Sequence, residues 1–326
     1  MKILLIQLKQ LGDVLLSSPL AKALKDNLKD VTVHFLTSPL GKEVLEGNPF
    51  IDKILTLKNG ILEEIKMLFS IRRENYDAII DIQRTGRSKR ITLLSGANLR
   101  IAFRKSKENI YYNRTVDERN RIYTVWDRLQ LLKPLGIDPK VENYYPEFFL
   151  NKEEIEKGKS ILQEYNLSPY SFFIITPTSR RINRAWQPEK FGILGNMLYE
   201  TTGLIPFVTY APGEETFAKR TFEKLKKGII LKNPLSIRMF AALIHFSKFL
   251  LGNDSFASHL AFSLRRKTFV ILGPNEGWFP NDKLIVKIRK GLDCQPCNDW
   301  KSCRKKLECF KTLTPEEAFS YIVKNL

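Results

Sequence analysis

The chain is expected to form two similar α/β domains facing each other, each a parallel sheet covered by helices. Three observations support this. Short apolar strands alternate with amphipathic helical stretches along most of the chain, the pattern of βαβ units. The alternation breaks once, between residues 134 and 170, where Pro134, Gly136, Pro139 and Tyr144-Tyr145-Pro146 mark irregular backbone, and then begins afresh. The length of 326 residues suits two domains of about 150 residues each. The boundary is placed between 165 and 166, giving domains 1–165 and 166–326.

In order, residues 2–8 read as a strand punctuated by Gly12-Asp13, and residues 14–28 as a helix with Leu16, Leu20, Ala23 and Leu24 on one stripe. A strand follows at 31–36, a short strand at 52–57, a helix at 61–73 and a buried strand at 76–82 that carries Asp81. Residues 153–165 read as a helix before Pro169. The second half gives strands at 171–176, 205–210, 229–231, 249–252 and 268–272, and helices at 188–201, 217–226, 237–245 and 258–264. Residues 314–326 should close the chain as a helix, with Thr314 as N-cap and Pro315 at its first position. Ligands bind beyond the carboxyl ends of parallel strands. Asp13, Thr176, residues 211–214, Asp254 and Gly273 are therefore expected to line such ends.

Apolar residues make up 43% and charged residues 27%, a globular composition. No stretch approaches the ~20 apolar residues of a membrane span. The first seven residues are too soon interrupted for a signal peptide, so the chain is expected to act in the compartment where it is made. The 53 Lys and Arg exceed the 35 Asp and Glu, for a formal charge of +18. That excess calls for an anionic partner: a phosphorylated metabolite, acidic lipid or nucleic acid. No zinc-finger pair, basic zipper or RNA-binding sheet motif is present, which makes nucleic acid the lesser reading.

Five stretches could carry chemistry. Gly12 permits a tight turn, and Asp13 after a buried strand is either a helix N-cap or a general base held at a ligand site. The stretch Thr176-Pro177-Thr178-Ser179-Arg180-Arg181-Ile182-Asn183-Arg184-Ala185-Trp186 sets hydroxyls and arginine forks after a strand, which suits phosphate, with Trp186 as a core anchor. Asn253-Asp254-Ser255 opens a helix whose first N–H groups could hold a phosphate. Asp254 there suits a sugar hydroxyl or a cap, and His259 is either a structural histidine or a tie between loops. Cys294-x2-Cys297-x5-Cys303-x5-Cys309 can form a tetrahedral sulfur site, with structural zinc ahead of a redox cluster, two disulfides or four reduced thiols. The four cysteines lie within sixteen residues, which excludes a small disulfide scaffold. Residues 84–107 hold eight Lys and Arg and no acid; Arg84 and Arg87 could bind an anionic acceptor and the rest approach anionic lipid head groups.

With these residues in place, the sequence resembles the heptosyltransferase family of lipopolysaccharide core synthesis, the ADP-heptose-using glycosyltransferases. The likeness lies in the first strand leading to Leu11-Gly12-Asp13-Val14 and in Arg184-Ala185-Trp186 with Phe191. It continues in Asn253-Asp254-Ser255 with His259, Ala261 and Leu264, in Leu272-Gly273-Pro274, and in the cysteine-rich tail. The resemblance implies two Rossmann-like domains in the GT-B arrangement, the first for the acceptor and the second for the nucleotide sugar. It implies an inverting transferase that moves a heptose or related sugar from an ADP-sugar to an anionic lipopolysaccharide inner-core acceptor, with no cofactor required for catalysis. Asp13 falls on the family's proposed base, and Arg184 where the family has a lysine at the donor diphosphate. Thr176, Thr178, Arg181, Asp254, Ser255 and His259 fall in the donor site. Another nucleotide-sugar enzyme, such as an epimerase, is the alternative. The location implied is cytoplasmic, with peripheral contact at the cytoplasmic face of the inner membrane.

Two positions depart from the family pattern. Phe256 stands where the family has glycine, which should restrict φ and crowd a phosphate pocket. Gln187 stands where proline commonly follows the tryptophan, although Pro188 can still start the helix. The identity of the donor sugar is what these departures leave open.

Overall fold

In Lys2–Ile6 (β1) the apolar run from Ile3 to Ile6 is buried on both faces, as a central parallel strand must be. The structure is a computed structural model that describes residues 1–105, 110–117, 123–179, 185–275, 277–297, 303 and 305–326. The first unit, Met1–Phe149, continues from β1 through Leu11–Leu15 (α1), Pro19–Asn27 (α2), Thr32–Thr37 (β2) and Pro39–Leu45 (α3). Then come Lys53–Thr56 (β3), Ile61–Glu74 (α4), Ala78–Asp81 (β4), Gly86–Leu94 (α5), Leu99–Phe103 (β5), Arg114–Val116 (β6) and Thr124–Leu129 (α6). Its strands are parallel in the order β3-β2-β1-β4-β5-β6.

The second unit, Leu150–Leu326, opens with Lys152–Glu164 (α7), Phe172–Thr176 (β7), Pro188–Thr202 (α8), Ile205–Val208 (β8), Glu215–Phe222 (α9) and Ile229–Ile230 (β9). It continues with Ile237–Phe246 (α10), Phe249–Asn253 (β10), Phe256–Ser263 (α11), Lys267–Ile271 (β11), Ile285–Ile288 (β12), Glu308–Lys311 (α12) and Pro315–Val323 (α13). Its strands are parallel in the order β12-β11-β10-β7-β8-β9. Numbered from its own first strand, each sheet reads 3-2-1-4-5-6, the Rossmann order. The two units thus share one topology, as expected.

The structure corrects two expectations. The unit boundary falls at 149/150 rather than 165/166, because α7 packs on α10. Gly158 lies so close to α10 that a Cβ there would stand 3.0 Å from Ala242 Cβ and from the Phe246 ring. Arg238 of α10 grips both carboxylate oxygens of Glu154 at 2.6 Å. The helix expected over 14–28 is two helices. Proline has no N–H to give a helix interior, and Pro19 instead opens α2. Gly12 and Asp13 lie inside α1, which starts earlier than the sequence suggested.

The core of the second unit gathers Trp186, Phe191 and Leu194 against Phe173, Phe249 and Phe269. Trp186 is fully buried, its ring edge-on to Phe191 at 4.9 Å and its Nε1 donating to Leu313 O at 3.0 Å. It is the anchor that ties α8 to the segment before α13. Thr314 caps α13 through Glu317 N, with Pro315 in the first turn, as the sequence indicated.

Candidate active site

In each sheet the winding direction reverses between its first and fourth strands, β1 and β4 in one unit and β7 and β10 in the other. The carboxyl ends on either side of that reversal are where such sheets hold ligands.

In the first unit the β1 end leads into α1. Asp13 is the third residue of α1, and Gln10, not Asp13, occupies the cap position. The Asp13 side chain is 26% exposed. Arg128, from α6, holds it: Nη2 donates to Asp13 Oδ1 at 2.5 Å, and Nη1 donates to Asp13 O at 2.7 Å and to Ser17 Oγ at 2.9 Å. Among the described residues, Asp13 Oδ2 has no partner. The carboxylate is thus oriented through one oxygen and open at the other. Sequence reasoning missed Arg128. The available signal was a cation inside the apolar stretch Val125-Trp126-Asp127-Arg128-Leu129.

At the carboxyl end of β4, Asp81 is wholly buried. It accepts from Tyr112 Oη at 2.6 Å and from Arg84 N at 2.9 Å. Burial pushes its carboxyl above the ordinary range, and those hydrogen bonds oppose the rise. Arg84 has a φ of 55° and donates to Phe103 O at 3.1 Å. Arg87 donates to Glu64, Asn59 and Lys58 O. Both arginines follow the strand end as expected, with guanidiniums already bonded within the unit.

In the second unit, Gly252 of β10 lies beside Thr176 of β7. A Cβ on Gly252 would fall 2.1 Å from Thr176 Oγ1, so only glycine leaves that hydroxyl room. Asn253 joins the two neighbouring loops: its Oδ1 accepts from Trp186 N and its Nδ2 donates to Pro177 O, both at 2.9 Å. Thr178 Oγ1 donates to Glu214 Oε2 at 2.5 Å, drawing in the loop after β8. Asp254 Oδ2 accepts from Asn275 Nδ2 at 3.2 Å, and Asp254 Oδ1 lies 3.8 Å from His259 Nε2. His259, inside α11, stacks on Phe279 with ring centroids 4.3 Å apart, which packs the helix against the segment after β11.

Two buried hydroxyl oxygens in this cluster, Thr176 Oγ1 and Ser255 Oγ, lack hydrogen-bond partners among the described residues. A buried polar atom without a partner costs free energy until a ligand satisfies it. Ser255 precedes α11 without capping it through its side chain. Phe256 begins α11 outside the left-handed region, so the expected φ strain is absent. Gln187 takes the cap position of α8 and Pro188 starts the helix, as anticipated. Thr176, Thr178, Asp254, Ser255 and His259 therefore come together, while Arg181 and Arg184 lie outside the described residues.

The cysteines do not assemble as metal ligands. All four are free thiols: Cys294 and Cys297 are exposed and Cys309 is buried. Among the described residues no three metal-capable side chains converge. Burial in the core pushes the Cys309 thiol up to about 11, and the charges of Cys303, Cys297 and Cys294 nearby add to the rise.

Comparison with known proteins follows the same lines. Residues 65–307 match the model of glycosyltransferase family 9 (heptosyltransferase). A lipopolysaccharide heptosyltransferase 1 of Campylobacter coli is 26% identical, over 99% of this chain and 98% of its own length. A family 9 glycosyl transferase structure from Veillonella parvula superposes with a TM-score of 0.84 at 16% identity, covering 99% of this chain and 96% of that one. The structure of ADP-heptose lipopolysaccharide heptosyltransferase II of Escherichia coli gives 0.80 at 17% identity, covering 100% and 98%.

Proposed function

This chain belongs to glycosyltransferase family 9, and from that premise we infer that it transfers a heptose from an ADP-sugar to an anionic lipopolysaccharide inner-core acceptor. The observation that carries the mechanism is the half-open Asp13 carboxylate, fixed at Oδ1 by Arg128. Asp13 Oδ2 takes the proton from an acceptor hydroxyl. The acceptor oxygen bonds to the anomeric carbon as the carbon–phosphate oxygen bond breaks on the opposite face, inverting configuration and releasing ADP. Thr176, Thr178, Asp254, Ser255 and His259 form the donor site, with Arg181 and Arg184 expected at the diphosphate. The first N–H groups of α11 and the two unpartnered hydroxyls suit the charge that grows on the leaving ADP. Arg84 and Arg87 are assigned to the acceptor, on the strength of their place beyond β4. The scheme calls for no cofactor. An ADP-sugar is too polar to cross a bilayer, so the reaction belongs to the cytoplasm where such donors are made, at the inner face of the membrane. Among the described residues no helix is long and apolar enough to cross a membrane.

The test is incubation with ADP-heptose, with and without an inner-core fragment. The expected result is an acceptor heavier by one heptosyl group, with ADP released only when acceptor is present. A nucleotide sugar altered without acceptor would instead indicate an epimerase.

Arg128 has a separate expectation as a positioning residue. Arg128→Met should lower kcat by roughly 10²-fold, the scale of a base displaced by about an ångström. The donor KM should hold. Arg128→Lys should recover part of the loss, since an ammonium lacks the planar fork that reaches all three acceptor atoms. A lowered Tm with normal kcat would reduce Arg128 to a structural bridge.

A further inference from the structure

Helix α4 presents an apolar stripe to solvent. Ile61, Leu62, Ile65 and Phe69 are 78%, 73%, 45% and 62% exposed. Their spacing sets them along one side of the helix, with Ile65 and Phe69 a turn apart. Single exposed apolar residues are ordinary, but four large ones on one face mark a contact surface.

The unpaired charges around the stripe are of one sign. Lys66, Arg72 and Arg73 are exposed on the same helix, and Lys58 is exposed just before it. Arg72 and Arg73 have no ion-pair partner among the described residues. The acids of α4 are all paired. Glu64 is bonded by Arg90 at 2.7 and 3.0 Å and by Arg87 at 3.3 Å. Glu74 is bonded by Lys2 at 2.8 Å and Lys53 at 2.6 Å, hydrogen bonds that hold its carboxyl down at about 2. Glu63 pairs with Lys66 at 3.0 Å. A shallow groove beside Phe69, lined by Lys66, Ser70, Arg73 and Glu74, sets Lys66 and Arg73 near the stripe, while Glu74 there is already held by Lys2 and Lys53.

We propose that the exposed face of α4 docks on an anionic lipid bilayer, with the apolar stripe at the acyl boundary and Arg72 and Arg73 among headgroup phosphates. Apolar centre and cationic margin are the pattern of a helix that lies in the interface plane. With 14 residues, α4 is about 21 Å long, too short to span the hydrocarbon. A second copy is the poorer partner: pairing the face with itself would bring Arg72 and Arg73 against like charges on a chain of +18. The benefit of docking rests on the proposed transfer to a lipid-borne acceptor, although docking itself does not require that reading.

The experiment is co-sedimentation of the full chain with vesicles of phosphatidylcholine alone, and with vesicles that also contain phosphatidylglycerol. Binding should favour the anionic vesicles and weaken with salt. The Ile65→Ser, Phe69→Ser pair should lower binding by at least about tenfold. The Arg72→Gln, Arg73→Gln pair should lower it by about tenfold or more. Both variants should keep the parental Tm and the transfer rate to a soluble, delipidated acceptor fragment. Equal binding to both vesicle types, or undiminished binding by either variant, overturns the proposal. So does a dimer that the Ile65→Ser, Phe69→Ser pair abolishes. Vesicle binding without any sugar transfer would defeat the functional reading and leave the docking intact. Transfer to the soluble fragment without vesicle binding would do the reverse.

Discussion

Asp13→Asn should lower the transfer rate at saturating donor and acceptor by roughly 10²–10⁴-fold, the scale of lost general-base catalysis. The amide keeps an oxygen that can accept from Arg128 Nη2, so the side chain stays in place and loses only its ability to take a proton. Donor KM should barely change, because the residues assigned to the donor belong to the second unit. The Tm should hold as well. As an N-cap, Asp13 would have mattered to stability and not to rate. The structure gives the cap position to Gln10 and shows no side-chain capping bond there. Near-normal turnover by Asp13→Asn, measured beside its melting curve, would remove Asp13 from the mechanism. Asp81 could not take over readily, being wholly buried and bonded to Tyr112 and the Arg84 backbone.

Arg238→Met should destabilise the second unit by about 3–5 kcal/mol at neutral pH, since it leaves the Glu154 carboxylate unpaired in a largely buried site. The pair is bidentate, with the two side chains only 9% and 14% exposed. The hydrogen bonds from Arg238 are the largest influence on Glu154 and hold its carboxyl below the ordinary 4.5. A depressed carboxylate contributes stability that is full above its unfolded pKa and lost as pH falls through the folded one. The gap between parent and variant should therefore be widest at neutral pH and narrow on acidification below 4.5. Urea unfolding at pH values on either side of 4.5 measures it. A gap that stays constant would mean that packing around the Arg238 stem, not the ion pair, is what the substitution removes.

Much of this arrangement could be read from the chain because strand ends are local. An apolar run followed by Gly12-Asp13, by Thr176 or by Asn253-Asp254 announces both a central strand and the residues just beyond it. The same local reading failed where the pattern was weak. β5 is punctuated by Arg100 and followed by Arg104, β6 has three residues and β12 four, and none was anticipated. Arg128 could not be paired with Asp13 from spacing, because 115 residues separate them and only the fold brings α6 to α1. The orphaned hydroxyl of Thr176 depends on the missing side chain of Gly252, a relation between neighbouring strands that no single segment displays. The cysteine spacing permitted a metal site, but spacing sets reach and not burial, and the thiols range from the exposed Cys294 and Cys297 to the buried Cys309.

The shared strand order also sets a timetable for synthesis. β1 pairs with β2 on one side and β4 on the other, and β4 leaves the ribosome only after two further strands and four helices. In the second unit β7 waits in the same way for β10. Through each interval a highly apolar strand holds one edge of unpaired N–H and C=O groups, a template for wrong pairing. Parallel sheets built from such distant partners form slowly. Nascent chains halted before Ala78, or between Thr176 and Phe249, are therefore the ones that should seek chaperones, and the seam at which each sheet reverses direction is the one a growing chain closes late.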